Sequence, residues 1–271
     1  HPHSIDRYLE LFVEASMLRR KTPIRGKYKG MMARPSVHEI LGEKYAYFSI
    51  FSFYDLSRFG LWLNEKTQTP MVSTEESPLA DIPEEYKPEL KIIPAVFSAR
   101  EHCVYFDAKQ ISPLLAERYF DKVFSANDIV EKYGVVDVTM IQDHSQLDRI
   151  LAIETLTTLD IYIKRPNPDD DDESDSARVA NRMEIMGVYQ WNQSLKGRAR
   201  NREVIKPDAE VKPFLHEALK NGEVRGEGYH YGRKVKLSTR QVPLVYPSTV
   251  RSTMHPADYI TSVIEVPNRG R

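Results

Sequence analysis

The sequence predicts an α+β protein with mixed or antiparallel sheets and flanking helices. Three observations predict this class. Short runs rich in β-branched and aromatic residues occur in both halves of the chain, and amphipathic helical segments lie irregularly between them. A central strand–helix–strand unit covers residues 134–166, with strands at 135–140 and 155–164 and a short helix at about 144–151. Strict alternation in the second strand predicts one face of Leu156, Thr158, Asp160 and Tyr162 and an opposite face of Thr157, Leu159, Ile161 and Ile163.

The N-terminal half predicts helices at both of its ends and strands between them. Ser4 is a candidate N-cap for the first helix, and residues 22–30 are expected to be a loop because Pro23, Gly26 and Gly30 interrupt them. The run at 44–55 is apolar on both faces, which is typical of a central strand. The remaining predicted elements are strands near 31–40 and 60–64, a hairpin of 90–98 with 102–107, a helix at 110–123 and a helix ending at Gly134.

Further elements of the C-terminal half are predicted after an acidic segment. We expect helices at 176–187 and 211–220, a polar and basic connection at 191–206, and a hairpin of 223–229 with 234–239. A last strand is expected at 258–266. The domain prediction is an N-terminal lobe at 1–132 and a C-terminal lobe at 133–271, which carries the acidic insertion at 167–176.

Length and composition set broad limits. The chain has 271 residues, which suits one large or two small domains with a substantial core. Its single cysteine, Cys103, excludes an internal disulfide and fits a reducing compartment. Since no apolar run is as long as a membrane span and no signal peptide is visible, we expect a cytoplasmic protein without direct membrane insertion.

The formal net charge of −1 conceals a segregation of charge. Six acidic residues fall at 169–175, and without them the chain holds 38 basic and 33 acidic residues. The basic residues cluster at 19–34, 196–206 and 225–240, a pattern that favours local contacts with anions. The predicted nucleic-acid-binding residues from these clusters are Arg19, Arg20, Lys21, Arg25, Lys27, Lys29, Lys196, Arg198, Arg200, Arg202, Arg233 and Lys234.

No motif indicates catalysis. The phosphate-binding glycine loops, the CxxC pair and the GxSxG elbow do not occur, so we predict no catalytic residue, metal site or cofactor. Asp143 is interpreted as a helix cap. The alternative is a metal-dependent nuclease or toxin in which Asp137, Glu154 and Asp160 of the central unit converge on a magnesium ion.

Several segments resemble an uncharacterised bacterial and phage family related to the RexA-type phage-exclusion proteins. They are HPHSIDRYLELF at 1–12, IRGKYKGMMA at 24–33, IPEEYKPELKIIPAVFSAREHCVYFDA at 82–108, VVDVTMIQDHSQLDRILAIETLTTLDIYIKRPNPDD at 135–170 and NGEVRGEGYHYGRKVKLSTRQVPLVY at 221–246. The resemblance covers most of the chain, but its motifs are structural and carry over no catalytic residue. It implies a phage-defence protein that is dimeric and contacts nucleic acid, with a separate membrane protein as its partner.

We therefore expect a non-enzymatic protein of a phage-exclusion or abortive-infection system that contacts nucleic acid and forms a homodimer. Besides the nuclease, the alternative is a protein-only subunit of a larger defence assembly, in which the basic clusters bind an acidic partner. The basic segment 19–34 is expected to be an exposed loop. The acidic insertion is expected to reduce nucleic-acid binding if it lies close to the C-terminal basic clusters, because screening limits its reach to about 8 Å.

Overall fold

The computed structural model describes residues 5–55, 60–64, 66, 68–74, 86–166, 175–197, 204–247 and 254–269. Within these residues the chain forms seven α-helices and twelve strands. The helices are α1 Ile5–Met17, α2 Pro113–Phe124, α3 Asn127–Tyr133, α4 His144–Leu151, α5 Asp175–Ile185, α6 Lys212–Asn221 and α7 Pro256–Arg269. The strands are β1 Thr22–Arg25, β2 Tyr28–Met32, β3 Ser36–Ile40, β4 Glu43–Tyr54, β5 Gly60–Asn64, β6 Thr69–Ser73, β7 Lys91–Ser98, β8 Cys103–Phe106, β9 Thr155–Lys164, β10 Gln190–Lys196, β11 Gly222–His230 and β12 Arg233–Ser238.

A six-stranded antiparallel sheet and a separate two-stranded sheet, β5-β6, lie in the N-terminal half. The order of the six-stranded sheet is β1-β2-β4-β7-β8, and β3 also pairs with β4. Helices α1 to α3 cover one face around buried aromatic side chains, among them Phe12, Phe48 and Phe120. On the other face Tyr259 and Ile260 of α7 pack against Tyr45 and Val96. The strand β4 is therefore central and covered on both sides, as its sequence predicts.

A four-stranded antiparallel sheet with the order β10-β9-β11-β12 forms the C-terminal half. Helices α4, α5 and α6 bury one of its faces through a core that includes Ile150, Met183 and Leu215. The mixed α+β class is thus confirmed. The domain boundary near residue 133 stays a prediction. The two large sheets fall on either side of this residue in the sequence, whereas α7, from the end of the chain, packs on the N-terminal sheet.

The strand β9 departs from strict alternation. Leu156 is buried together with Leu159, Ile161 and Ile163 in the same core, although the sequence places it on the opposite face. The cause is a bulge: the register against β11 shifts between the pairs Glu227–Thr158 and Gly228–Leu156, which leaves Thr157 as an extra residue. The bulge turns Leu156 inward.

Two predicted segments, one near the start of each lobe, differ from the structure. Residues 22–30 are not a loop, because β1 and β2 pair as a hairpin around Gly26 and Lys27, and Gly26 has φ +56°. Residues 135–140 are not a strand. This segment joins none of the described sheets, and the Met140 amide donates instead to the Glu117 side chain, at 3.2 Å from N to Oε1. Val136 and Val138 pack against the N-terminal core instead.

Two predictions near the C-terminus are also wrong. Residues 258–266 lie in helix α7 rather than in a strand, because Tyr259, Ile260, Val263 and Ile264 recur at helical spacing and all contact the N-terminal sheet. The connection predicted at 191–206 contains strand β10, which pairs along its whole length with β9. The remaining helices and hairpins are confirmed within one to four residues, including Pro113 in the first turn of α2 and Gly134 at the end of α3.

A buried carboxylate connects α5 to α6. Glu217 is 1% exposed. It accepts hydrogen bonds from the Ser176 hydroxyl, at 2.5 Å, and from the Asn221 side-chain amide. These two donors satisfy both carboxylate oxygens within the core, where an unsatisfied polar group is costly.

We expect the Glu217→Ala variant to lose about 2–4 kcal/mol of unfolding free energy, because it removes the acceptor of the buried Ser176 hydroxyl and of the partly buried Asn221 amide and leaves a cavity. Glu217→Gln keeps the volume and one acceptor oxygen, so its loss should be clearly smaller. Urea unfolding followed by circular dichroism measures both. Equal stability of the Ala variant and the wild type would contradict the role of this carboxylate.

The two-residue turn between β3 and β4 is conformationally strained. Leu41 and Gly42 have φ +54° and +79°, and the Leu41 side chain is 93% exposed. A turn with positive φ at both positions is normally Asn-Gly or Asp-Gly, because a larger side chain in the left-handed region is disfavoured.

Replacing Leu41 by Asn should therefore stabilise the protein by about 1 kcal/mol. Leu41→Ala is the matched control, since it removes the same exposed leucine while it keeps the left-handed penalty of an ordinary side chain. Thermal unfolding compares the two. If both variants melt at the same temperature, the turn is not strained.

Candidate functional site

The face of the C-terminal sheet that lies opposite α4 to α6 exposes polar side chains. Cross-strand pairing arranges them in rows, because residues directly opposite in neighbouring strands share a face. One row is Lys196, Thr158, Glu227 and Lys236, and the next is Ser194, Asp160, Arg225 and Ser238. We call this surface the open sheet face; it also includes Asn192, Glu223, Tyr229 and Lys234.

The open sheet face carries four exposed cations, which are Lys196, Arg225, Lys234 and Lys236. Since neighbouring strands lie about 4.8 Å apart, Lys196 and Lys236 lie at the two ends of a row about 14 Å wide. Side chains of successive rows are about 7 Å apart along each strand. The cations therefore cover an area comparable with a short segment of an anionic polymer.

Two glutamates on the same face hold three of these cations in place. Glu227 pairs with Lys234 at 2.5 Å and with Lys236 at 3.9 Å. The hydrogen bond from Lys234 lowers the pKa of Glu227, so its carboxylate is ionised at neutral pH. Arg225 donates two hydrogen bonds to Glu223, at 2.8 and 2.7 Å. The face is thus a mixed-charge surface with a cationic excess.

An exposed aromatic side chain stands at the end of this face, in the turn between β11 and β12. Tyr231 is 85% exposed and has φ +48°, and Gly232 follows with φ +72°. Glu154 holds this turn through two hydrogen bonds. Its carboxylate accepts a hydrogen bond from the Tyr231 backbone amide at 3.1 Å, and its own backbone amide donates to His230 Nδ1 at 3.4 Å. The His230 and Tyr231 rings lie 4.5 Å apart.

The structure brings some of the predicted site residues together and separates others. Lys196, Arg233 and Lys234 lie on the open sheet face or at its hairpin turn. Arg225 and Lys236 belong to the same face but were missed as site residues; the alternation of charged residues along β11 and β12 was the signal for them. Three predicted residues, Arg198, Arg200 and Arg202, lie outside the described residues, as do residues 167–174 of the acidic insertion.

The first basic cluster lies on the N-terminal sheet and is not a continuous exposed loop. Arg19, Arg20 and Lys21 are exposed between α1 and β1, and Arg25 and Lys27 are exposed at the β1–β2 turn. Lys29, on β2, is only partly exposed and pairs with Asp55 at the end of β4. The hydrogen bond from Lys29 lowers the pKa of Asp55. Lys29 is therefore held in an ion pair at the end of β4.

The acidic residues of the nuclease alternative make separate contacts. Asp137 pairs with Lys164 at 2.5 Å, Glu154 holds the β11–β12 turn, and Asp160 lies opposite Arg225. Across the part of the chain that the structure describes, no three His, Cys, Asp or Glu side chains come together as a metal site. Asp143 caps α4 by accepting the Ser145 amide at 2.7 Å, as predicted.

Comparison with protein-family models gives a match to a domain of unknown function, DUF4747, over residues 1–265. The chain belongs to the DUF4747 family. Neither the curated proteins nor the solved structures gave a match. None of the described helices is both long enough and apolar enough to cross a lipid bilayer.

The different settings of the N-terminal basic residues lead to a stability prediction. Lys29→Glu places a carboxylate against Asp55, so we expect it to lower the unfolding free energy by about 1 kcal/mol. The double variant Arg25→Glu/Lys27→Glu changes exposed turn residues and should stay within about 0.5 kcal/mol of the wild type. Urea unfolding at low salt compares them. Equal effects would contradict a structural role for Lys29.

Proposed function

We propose that this DUF4747 chain is a non-enzymatic nucleic-acid-binding protein that contacts phosphate groups through the open sheet face. One observation carries the proposal. Lys196 and Lys236 stand in a single cross-strand row, and Lys234 and Arg225 lie in adjacent rows of the same exposed surface. Four cations on a rigid two-layer scaffold provide fixed positions for successive phosphates, which dominate the affinity of such contacts.

The acidic residues of the face determine the kind of binding expected. A phosphate that reaches Lys234 or Lys236 must compete with Glu227, which already pairs with both. Much of the electrostatic gain then comes from the release of counterions from the nucleic acid, so the affinity should be moderate and should fall steeply with salt. Such binding is reversible and largely independent of sequence, because phosphates carry no direct sequence information.

The biological setting that we propose rests on the sequence resemblance to RexA-type phage-exclusion proteins. We infer a cytoplasmic antiviral defence protein that acts as a homodimer, with a second defence protein as its partner. The family match is compatible with this setting and does not specify it. A two-fold dimer is the default symmetry for such an assembly.

The test is charge reversal in the row that spans the sheet. Lys196→Glu/Lys236→Glu should weaken binding to fluorescent single strands and duplexes by about tenfold or more. It should also reduce the slope of log affinity against log salt by about 1 for each phosphate contact removed. Fluorescence anisotropy over a salt titration measures both quantities.

The matched control is Lys109→Glu/Lys122→Glu, which makes the same change in net charge at exposed lysines of the N-terminal half. This control should bind like the wild type, and the probes should be recovered intact after incubation with magnesium. Equal losses in both double variants would show that only overall charge matters. Absence of binding by the wild type would overturn the proposal in favour of a protein-only subunit, and cleaved probes would favour the nuclease.

A further inference from the structure

We propose that the open sheet face takes single-stranded in preference to duplex nucleic acid, and that Tyr231, supported by Tyr229, stacks on its unpaired bases. This inference rests on the proposed function and specifies its substrate class. The observation behind it is the side chain at the β11–β12 turn: Tyr231 is 85% exposed in the left-handed region, where Asn would be less costly.

The surrounding contacts hold Tyr231 outward. Its amide is fixed by the Glu154 carboxylate, and the amide of Glu154 in turn binds His230. The His230 ring lies 4.5 Å from the Tyr231 ring at 55°, so it supports one side of the tyrosine and leaves most of the ring in solvent. A strained conformation that is fixed by its neighbours and exposes an aromatic ring is a reason to look for a ligand.

The Tyr231 ring stands at the turn that ends the surface carrying the cations. Tyr229 pairs with Lys234 across the two strands, and its side chain is 44% exposed on the open sheet face. Arg233 is exposed immediately after the turn. A strand that crosses the turn can therefore place a base against Tyr231 while its phosphates reach Arg233, Lys234 and the row of Lys196 and Lys236.

The stacking geometry selects unpaired bases. In a duplex the faces of each base are already covered by its neighbours, whereas a single strand can offer a base face to an aromatic side chain. Such stacking tolerates any base, because every base has a π-face. The shared chemistry is that of single-stranded DNA and single-stranded RNA, and both are included in the test.

The decisive variant is Tyr231→Asn, because Asn suits the turn and removes the ring without a risk to folding. We expect it to weaken binding to single-stranded DNA or RNA by about tenfold, while duplex binding and the salt slope stay unchanged. Tyr231→Phe keeps the ring and should bind within about twofold of the wild type. Anisotropy with the two single strands and a duplex of one length measures all three proteins.

The outcomes separate this inference from the proposed function. If Lys196→Glu/Lys236→Glu weakens binding but Tyr231→Asn does not, phosphate contact stands and stacking is overturned. Stacking is also overturned if Tyr231→Phe loses as much as Tyr231→Asn, because the hydroxyl group would then be responsible, or if Tyr231→Asn weakens duplex binding equally. If the wild type binds none of the probes, both proposals fail. A selective loss with either single strand supports the inference.

Discussion

The pairing of β9 with β11 is the constraint on which the C-terminal sheet depends. Because side chains alternate along a strand, a shift of one residue would exchange the buried and exposed faces of β9. The bulge at Thr157 lets Leu156 join Leu159 and Ile161 in the core without disturbing the pairs that place Thr158 and Asp160 outward. The composition of the open sheet face therefore follows from the regular register of β9 and β11 up to Thr158, and the bulge only adds Leu156 to the core.

Two glycines on the opposite face of β11 restrict the size of the side chains that fit there. A Cβ atom on Gly226 would lie 2.4 Å from Ile150 Cγ2, so α4 packs directly against the backbone of this strand. At Gly228 a Cβ atom would lie 2.1 Å from the Thr155 carbonyl oxygen, beside the bulge. Since the helix side of β11 has room only for small residues there, the charged residues Glu223, Arg225 and Glu227 and the aromatic Tyr229 lie on the other face.

The sequence predicts most elements whose burial is local, and it fails where a distant partner decides. Hairpins and amphipathic helices were predictable because their own periodicity specifies their buried face. Strand β10 was missed because only Trp191 and Leu195 are large and apolar among its polar residues, and its pairing with β9 spans a whole helix. In α7 the β-branched residues suggested a strand, but the N-terminal sheet offers Tyr259 and Ile260 a surface that suits a helix. Basic clusters were visible in the composition, whereas the row that joins Lys196 to Lys236 follows only from the strand order.

The ion pairs and the aromatic rings of the open sheet face contribute differently to the proposed binding. Glu223 and Glu227 hold Arg225 and Lys234 in defined positions, but they also occupy the groups that a phosphate would bind. When a phosphate replaces a glutamate as the partner of one of these cations, the gain in binding free energy is small at physiological salt, because exposed charges are screened there. Stacking on Tyr231 does not involve this exchange and depends little on salt. We therefore propose that the cations bring nucleic acid to the surface, while the ring at the hairpin turn selects the unpaired strand.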